Sequence, residues 1–194
     1  PGYVISDWID APVPGTVALA YTCAGLIEDI RYDDNLTRID DAYFNADFWY
    51  RTPMDIPKLN ANESLILNFD GINWKAEVYV NGHNIGRIEG AFKRSHFDIT
   101  KYLNKTGENI LAVKIIHNAN QGDVKIPQLN KPVPNGGILG LDNPTFHASI
   151  GWDWIPTVPG RNMGIWNDVT LTVAKSHVTI GDTFFDTTLP HGIP

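Results

Sequence analysis

The chain has 194 residues, a formal charge of −7 and a hydrophobic content of 43%, which suit one domain with a real core and a short piece of a second. The excess of Asp and Glu argues against a nucleic-acid partner, because proteins that bind phosphate backbones carry a basic patch. No apolar run approaches the roughly 20 residues of a membrane-spanning helix, and the single Cys23 excludes an intrachain disulfide and a multi-cysteine metal site.

The first part of the chain gives few signals of regular structure. It begins with Pro1 rather than Met and shows no signal peptide, as expected for a fragment whose natural start has been removed. Residues 9–47 are predicted to form an irregular N-terminal stretch.

Strand patterns follow in close succession. Residues 48–54 are rich in aromatics, and residues 64–72 alternate loosely before a turn at Gly71. The strongest local signal is the alternation of Ala, Val and Val over residues 76–80, directly before Asn81-Gly82. Asn-Gly supplies the positive φ angles of a type I′ turn, so this stretch predicts a tight β-hairpin.

The later elements also indicate strands. Residues 109–117 carry a run of β-branched side chains typical of a buried strand, and residues 164–174 alternate again. Helical periodicity is nearly absent, apart from one possible turn over residues 98–103 that Asp98 or Thr100 would cap. Short strands with frequent turn signals predict an all-β fold, either a sandwich or a barrel.

A long loop interrupts this rhythm and leads into an unusual phrase. Residues 118–149 are rich in Pro and Gly, and loops of that length in a compact domain are usually functional or disordered. GWDWIP follows, with Trp152, Asp153 and Trp154 side by side. Aromatic rings stack on the apolar faces of sugars, and a carboxylate accepts strong hydrogen bonds from their hydroxyls. The alternative is that both indoles pack in the core while Asp153 caps a turn.

The chain shows no self-contained catalytic apparatus. No local arrangement marks a pair of glycosidase carboxylates, and a nucleophile elbow, a P-loop, a Rossmann glycine run and a zinc-protease motif are all missing from the sequence. Other conspicuous residues are interpreted structurally. His96 is a strand or edge histidine, Trp49 and Trp166 are core residues within strands, Trp74 is a partly exposed strand aromatic, and Glu77 and Arg51 form solvated pairs.

Several phrases together resemble the N-terminal part of family 2 glycoside hydrolases, in the right order and over almost the whole chain. The central block, residues 67–115, contains a strand, the VNG hairpin, a Gly-aromatic step and an FDIT strand. The remaining phrases are WIDAPVPGTV (8–17), GLIEDIRYDDN (25–35), DFWYRTPMDIP (47–57) and GWDWIPTVPGRNMGIWNDVTL (151–171).

The resemblance implies a jelly-roll β-sandwich of galactose-binding type over residues 1–177, the sugar-binding domain of these enzymes. Residues 178–194 would be the linker to, or the first strand of, a following immunoglobulin-like domain. A TIM barrel would come next and carry the two catalytic glutamates of an exo-acting retaining β-glycosidase. We therefore expect no catalytic residue in this chain. Its expected role is to complete the glycone pocket, the part of the active site that holds the terminal sugar, over that barrel.

The resemblance also assigns sugar contacts. The β-mannosidase branch has a W-D-W-G-P motif whose Asp bonds hydroxyls of the terminal sugar, and Trp152, Asp153 and Trp154 match it, while Ile155 replaces the Gly. The exo-β-glucosaminidase branch has a similar phrase, and the β-galactosidase branch is less similar. Asn35 matches an Asn that borders the sugar pocket in some members; its alternative is an Asx turn.

The expected partners are a terminal β-linked sugar and the following domains of the same chain, with no nucleic acid and no membrane. No cofactor is predicted: a structural Ca²⁺ occurs in many such sandwiches, but no ligand pattern here supports a metal site. A periplasmic or secreted location is expected from the family's work on glycans. Two other functions stay open, an autonomous carbohydrate-binding module and a purely structural spacer.

Overall fold

The computed structural model describes residues 7–120, 162–175 and 183–188. Strands dominate this part of the chain, with two short α-helices and two 3₁₀ helices. In chain order the elements are β1 (Gly15–Thr16), α1 (Val17–Cys23), α2 (Asn35–Arg38), a 3₁₀ helix (Asp41–Phe44), β2 (Phe48–Met54), β3 (Ser64–Phe69), β4 (Lys75–Val80), β5 (His83–Glu89), β6 (Ser95–Asp98), a 3₁₀ helix (Thr100–Tyr102), β7 (Asn109–Ile115), β8 (Gly164–Ile165) and β9 (Val169–Ala174).

The strands form two antiparallel sheets and a small ribbon. One sheet has the order β2-β7-β4-β5, the other has the order β6-β3-β9, and β1 pairs with β8. The β-sandwich expected from the sequence is confirmed. No helix within the described residues is long and apolar enough to cross a bilayer.

The core lies between the two sheets because their strands alternate in burial. In β3 the side chains of Leu65, Leu67 and Phe69 point inward, and β4 and β7 repeat the same pattern. A period of two is what a half-buried strand requires, since successive side chains leave opposite faces of a sheet. The apolar residues that alternate over residues 76–80 of the sequence therefore point into the core, as predicted.

The hairpin prediction is confirmed. Strands β4 and β5 are joined by the two residues Asn81 and Gly82, with φ angles of 51° and 82°. Positive φ at both positions is the signature of a type I′ turn. The side chain of Asn81 also donates to the Asn109 side chain at 2.8 Å and accepts from the backbone N–H of Ile110 at 2.8 Å. The turn is thereby tied to β7.

The predicted single turn after β6 is present as the 3₁₀ helix Thr100–Tyr102. Asp98 accepts hydrogen bonds from both the backbone N–H and the hydroxyl of Thr100, at 3.0 and 2.6 Å. The Thr100 hydroxyl bond, with the backbone bond, holds the pKa of Asp98 below its usual value even though burial acts to raise it. The predicted cap was wrong, because the N-cap is Ile99 and it makes no side-chain cap bond. Asp98 instead bonds Thr100, the first residue of the turn.

The prediction of an irregular stretch over residues 9–47 was wrong where helices form. Helix α1 begins after Thr16, whose hydroxyl accepts from the N–H of Leu19 at 3.1 Å. Val17, Ala18 and Ala20 of this helix are buried, and Val17 and Ala18 belong to the same core cluster as the strand residues. A helix of seven residues contains barely two turns, too few to establish a period in the sequence.

The expectation that Trp49 and Trp166 are core strand residues was wrong for Trp49 and only partly right for Trp166. Trp49 is 46% exposed, because β2 turns Phe48 and Tyr50 inward and the pleat sends the residue between them outward. Trp166 lies in the link between β8 and β9 and is partly buried. Residues 164–174 are thus two strands rather than one.

Candidate functional site

Four of the links between strands lie at one end of the sandwich, which we call the loop rim. Phe48, Ile115 and Ala76 lie opposite one another in the first sheet, so β2 and β4 begin there and β7 ends there. In the second sheet β3 ends opposite the starts of β6 and β9. The loop rim consists of the links over residues 70–74, 90–94, 116–120 and 162–168.

Two consecutive residues hold both flanks of residues 119–161. The indole N–H of Trp74 donates to the Asn118 side chain at 3.0 Å. The side-chain amide of Asn73 donates to the carbonyl of Asn162 at 2.9 Å. The chain therefore leaves and returns at neighbouring points of the loop rim.

The returning flank is fastened further by backbone pairing. Asn73 and Gly164 exchange two backbone hydrogen bonds of 2.9 and 3.1 Å, and the N–H of Val17 donates to the carbonyl of Met163 at 2.8 Å. Asn73 and Met163 are both buried. A Cβ on Gly164 would lie 2.7 Å from the Gly15 carbonyl oxygen, so only glycine allows this close pairing.

Aromatic side chains line the rest of the loop rim. Phe92 is 62% exposed and packs edge-on against Trp166, with ring centroids 5.5 Å apart. The Trp166 indole donates to the carbonyl of Ala91 at 2.9 Å, and the ammonium of Lys75 lies 4.1 Å from the centroid of Trp74. An exposed ring beside fixed polar groups is suitable equipment for contacts with a sugar or with a neighbouring domain.

The carboxylate of Asp47 holds the segment after β7, where the chain leaves the sandwich towards residue 119. Asp47 accepts from the backbone N–H and the ring of His117, at 3.0 and 2.9 Å, and pairs with Lys114 at 2.8 Å. Burial acts to raise the pKa of Asp47, but the hydrogen bonds from Lys114 and His117 together lower it to about 2. Asp47 is therefore ionised at neutral pH and links the start of β2 to the end of β7.

The three principal predicted sugar contacts, Trp152, Asp153 and Trp154, lie outside the described residues and stay predictions. Asn35 is described. It is buried in α2, and its side-chain amide donates to the carbonyl of Asp29 at 2.9 Å. That bond closes the turn before α2 across six residues, which differs from the Asx turn considered as its alternative. A contact between Asn35 and sugar stays a prediction.

Sequence reasoning missed the anchors of the loop rim. Asn73 and Asn118 carry no pattern that marks them, because an Asn between strands is ordinary turn chemistry. Trp74 was expected to be a partly exposed aromatic in a strand; its intermediate exposure is confirmed, but it directly precedes β4 instead of lying in it. In the structure Trp74 lies five residues after the end of β3 at Phe69, which places it at one end of the sheets.

The described residues offer no other obvious reaction centre. They contain no group of three His, Cys, Asp or Glu side chains that could hold a metal ion. A cavity of about 970 Å³ opens between the β2 and β9 edges of the two sheets, lined largely by apolar side chains. The buried hydroxyl of Tyr50, in its wall, has no hydrogen-bond partner. The loop rim is the better candidate site for the predicted contacts, because it holds both flanks of residues 119–161.

The two antiparallel sheets define the class of the protein: a β-sandwich of galactose-binding type. The family model described as "Glycosyl hydrolase 2 galactose-binding domain-like" matches residues 4–167. The chain belongs to this family of N-terminal glycoside hydrolase domains.

Known relatives are glycosidases of the branches expected from the sequence. A mannosylglycoprotein endo-β-mannosidase from Lilium longiflorum is 34% identical over 96% of this chain and 20% of its own length. An exo-β-D-glucosaminidase from Streptomyces avermitilis is 31% identical over 87% of this chain and 16% of its own length. The solved β-D-mannosidase of Dictyoglomus thermophilum matches with a TM-score of 0.63 and 27% identity, over 86% of this chain and 20% of that one.

The chain thus spans only about a fifth of the length of the enzymes that it matches. It corresponds to a single N-terminal domain of those longer proteins.

Proposed function

We propose that this chain is the non-catalytic N-terminal domain of a β-glycosidase that hydrolyses O-glycosidic bonds, with β-mannosides or β-glucosaminides as its substrates. The family assignment and the names of its relatives support the reaction class. In this proposal the domain completes the glycone pocket of an active site that lies in a following TIM barrel.

The observation that carries this proposal is the double anchor at the loop rim. Trp74 and Asn73 hold Asn118 and Asn162, the two flanks of the segment that contains Asp153. Asp153 lies nine residues before Asn162, so the stretch that carries it starts from an anchored point of the loop rim. A contact residue for a neighbouring active site needs such a supported attachment.

Each predicted residue has a chemical role in this proposal. The Asp153 carboxylate accepts hydrogen bonds from sugar hydroxyls, and Trp152 and Trp154 either stack on the ring or pack to hold the segment. Asn35 borders the same pocket. Hydroxyl contacts that strengthen as the sugar flattens towards the oxocarbenium ion accelerate the reaction.

The catalytic carboxylates are expected outside this chain. In a retaining enzyme they lie about 5 to 5.5 Å apart, one as nucleophile and the other as acid and base. An immunoglobulin-like domain is expected to connect residues 178–194 to the barrel. The proposed location is periplasmic or secreted, and no cofactor is needed for this chemistry.

The test is a comparison of the longer natural protein with this chain on aryl β-glycosides. We expect the longer protein to cleave β-mannoside or β-glucosaminide and the chain alone to cleave none. Chain-end and internal linkages in oligosaccharides then distinguish exo action from endo action. If the longer protein cleaves nothing while this chain binds sugar alone, the domain is an autonomous carbohydrate-binding module instead.

The role of Asp153 has its own test in the longer protein. Asp153→Asn should lower kcat/KM by about 10- to 100-fold, a loss of roughly 1.5 to 3 kcal/mol of transition-state binding. Asp153→Glu, which keeps the charge and moves it, should be intermediate. Unchanged kcat/KM in Asp153→Asn would remove this residue from the sugar site and favour a spacer function.

A further inference from the structure

The outer face of the four-stranded sheet carries a second group of polar and aromatic side chains that the loop rim does not use. In one row across the sheet Trp49, Lys114 and Glu77 lie opposite one another on β2, β7 and β4. In the neighbouring row Arg51 and Tyr79 flank Ala112. We call Trp49, Arg51, Glu77 and Tyr79 the outer platform.

Two rings form the centre of the outer platform. The centroids of Trp49 and Tyr79 are 5.4 Å apart with an angle of 43° between the rings, although β7 separates their strands. The small side chain of Ala112 between the two strands leaves the room in which the rings meet. Trp49 remains 46% exposed, so much of its ring is open to solvent.

Hydrogen-bonding groups surround the rings. The Tyr79 hydroxyl donates to Glu77 at 2.7 Å, which fixes the carboxylate and leaves acceptor positions unused. Lys114 is paired with Asp47. The exposed guanidinium of Arg51 has no hydrogen bond or ion pair within the described residues. The expectation of solvated ion pairs is met by neither Arg51 nor Glu77 in this part of the chain, since the partner of Glu77 is the Tyr79 hydroxyl.

The charges on this face decide the kind of ligand that it suits. The basic side chains on this face, Arg51, Lys75, Arg87 and Lys114, are balanced to within one charge by the carboxylates of Glu77, Glu89 and Asp47. This mixed and nearly balanced charge favours a neutral ligand over a polyanion or a polycation. Free donors on Arg51 and free acceptors on Glu77 suit a molecule whose groups both donate and accept, as sugar hydroxyls do.

We propose that the outer platform binds a pyranose ring of a neutral oligosaccharide, with the ring stacked on Trp49 and its hydroxyls bonded to Arg51 and Glu77. This site is separate from the loop rim and does not depend on the proposed glycosidase activity. Trp, Tyr and Arg are also enriched in protein hot spots, but a hot spot lies in a desolvated centre of the interface. Glu77 and Lys114 lie in the same row as Trp49, which favours a polar ligand here.

The test is native gel electrophoresis of this chain through gels that contain soluble polysaccharides. Glucomannan and galactomannan are the neutral probes, and alginate and chitosan are the charged ones. We expect the neutral polymers to retard the chain more strongly than the charged ones. Titration with mannohexaose and cellohexaose, followed by tryptophan fluorescence, then gives the affinity.

Variants of the platform separate stacking from hydrogen bonding. Trp49→Ala should weaken binding at least about tenfold, Trp49→Phe by less, and Arg51→Gln by several-fold. Tyr32→Ala is the matched control, because Tyr32 is also an exposed aromatic residue but lies before α2. Circular dichroism and the thermal midpoint establish that each variant is folded; Arg51→Gln, at an exposed position, tests the proposal if Trp49→Ala fails to fold.

Three results would overturn the proposal. The first is no retardation of the wild-type chain by any neutral polymer. The second is equal binding by the wild type, Trp49→Ala and Arg51→Gln. The third is retardation of this chain but not of the longer natural protein, since the platform would then be an interface covered by the rest of that protein.

Discussion

Asp47 is the residue whose charge state most directly affects the loop rim. It accepts hydrogen bonds from the backbone and ring of His117 and pairs with Lys114. His117 is the second residue beyond β7, on the way to Asn118. The Asp47 carboxylate therefore joins the edge strand β2 to the point where the chain departs towards residue 119.

A pH dependence follows from the pKa of Asp47. Because hydrogen bonds lower this pKa in the folded chain from 3.8 to about 2, the ionised carboxylate stabilises the fold. The contribution, about 2 kcal/mol, is complete above pH of about 4 and is lost as the pH falls to about 2. Urea unfolding between pH 2 and pH 6 measures it.

Asp47→Asn should reduce the acid slope and lower the free energy of unfolding at pH 6, while Asp98, whose pKa is also lowered, keeps part of the slope. Asp55→Asn is the control, because Asp55 is exposed and has no hydrogen bond or ion pair within the described residues. An acid slope as steep in Asp47→Asn as in the wild type would assign the slope to other carboxylates.

Gly71 shows how tightly the loop rim is packed at a single position. A Cβ at this position would lie 2.7 Å from Cε2 of Trp166. Gly71→Ala should therefore destabilise the fold by about 1 to 3 kcal/mol, since the indole must move and strain its bond to Ala91. Thermal unfolding monitored by tryptophan fluorescence measures the loss. In a Trp166→Phe background the cost should shrink, and an equal cost in both backgrounds would assign it to the backbone.

At the scale of elements, alternation and turn chemistry determined what could be predicted. Strands β3, β4 and β7 alternate in burial as their sequences indicate, and the Asn81-Gly82 turn follows from the φ angles that it needs. Helix α1 was missed because seven residues are too few to show a period. Trp49 was misassigned because an aromatic in a strand pattern does not itself indicate which face it takes.

The candidate site was less predictable than the fold, because its anchoring residues carry no local sequence pattern. The family resemblance proposes Asp153 and its neighbours as contacts, but no sequence pattern indicates that Asn73 and Trp74 hold both flanks of that segment. Those anchors pair residues 44 and 89 positions apart along the chain. Only the folded arrangement of the strands brings them together.

The β4–β5 hairpin gives a prediction for an element. Asn81 adopts a positive φ and bonds the carbonyl of Tyr102 at 2.9 Å as well as Asn109 and Ile110. Asn81→Ala should lower the free energy of unfolding by about 2 to 3 kcal/mol, because it leaves partly buried groups unsatisfied and strains the turn. Denaturant unfolding measures it. Asn62→Ala, at an exposed position, should stay within about 0.5 kcal/mol of the wild type.

At the scale of the whole molecule, the stability of the loop rim and the proposed activity can be separated by one substitution. Trp74→Phe removes the indole N–H that holds Asn118, shortens the side chain and keeps an aromatic ring. We expect the chain to fold, with a loss of about 1 kcal/mol, and amide exchange at residues 116–118 to become faster. In the longer protein kcat/KM should fall. Unchanged kcat/KM together with faster exchange would mean that this anchor does not position the sugar contact.

The close spacing of the two anchors has a consequence for engineering. Trp74 and Asn73 bond only Asn118 and Asn162, so the residues between those two positions can be exchanged while both anchors are kept. Doubling the length of a flexible insert costs only about 0.6 kcal/mol in closure entropy. Exchanging residues 119–161 between homologous enzymes, and measuring kcat/KM on β-mannosides and β-glucosaminides, is therefore a direct experiment on whether this segment sets sugar preference.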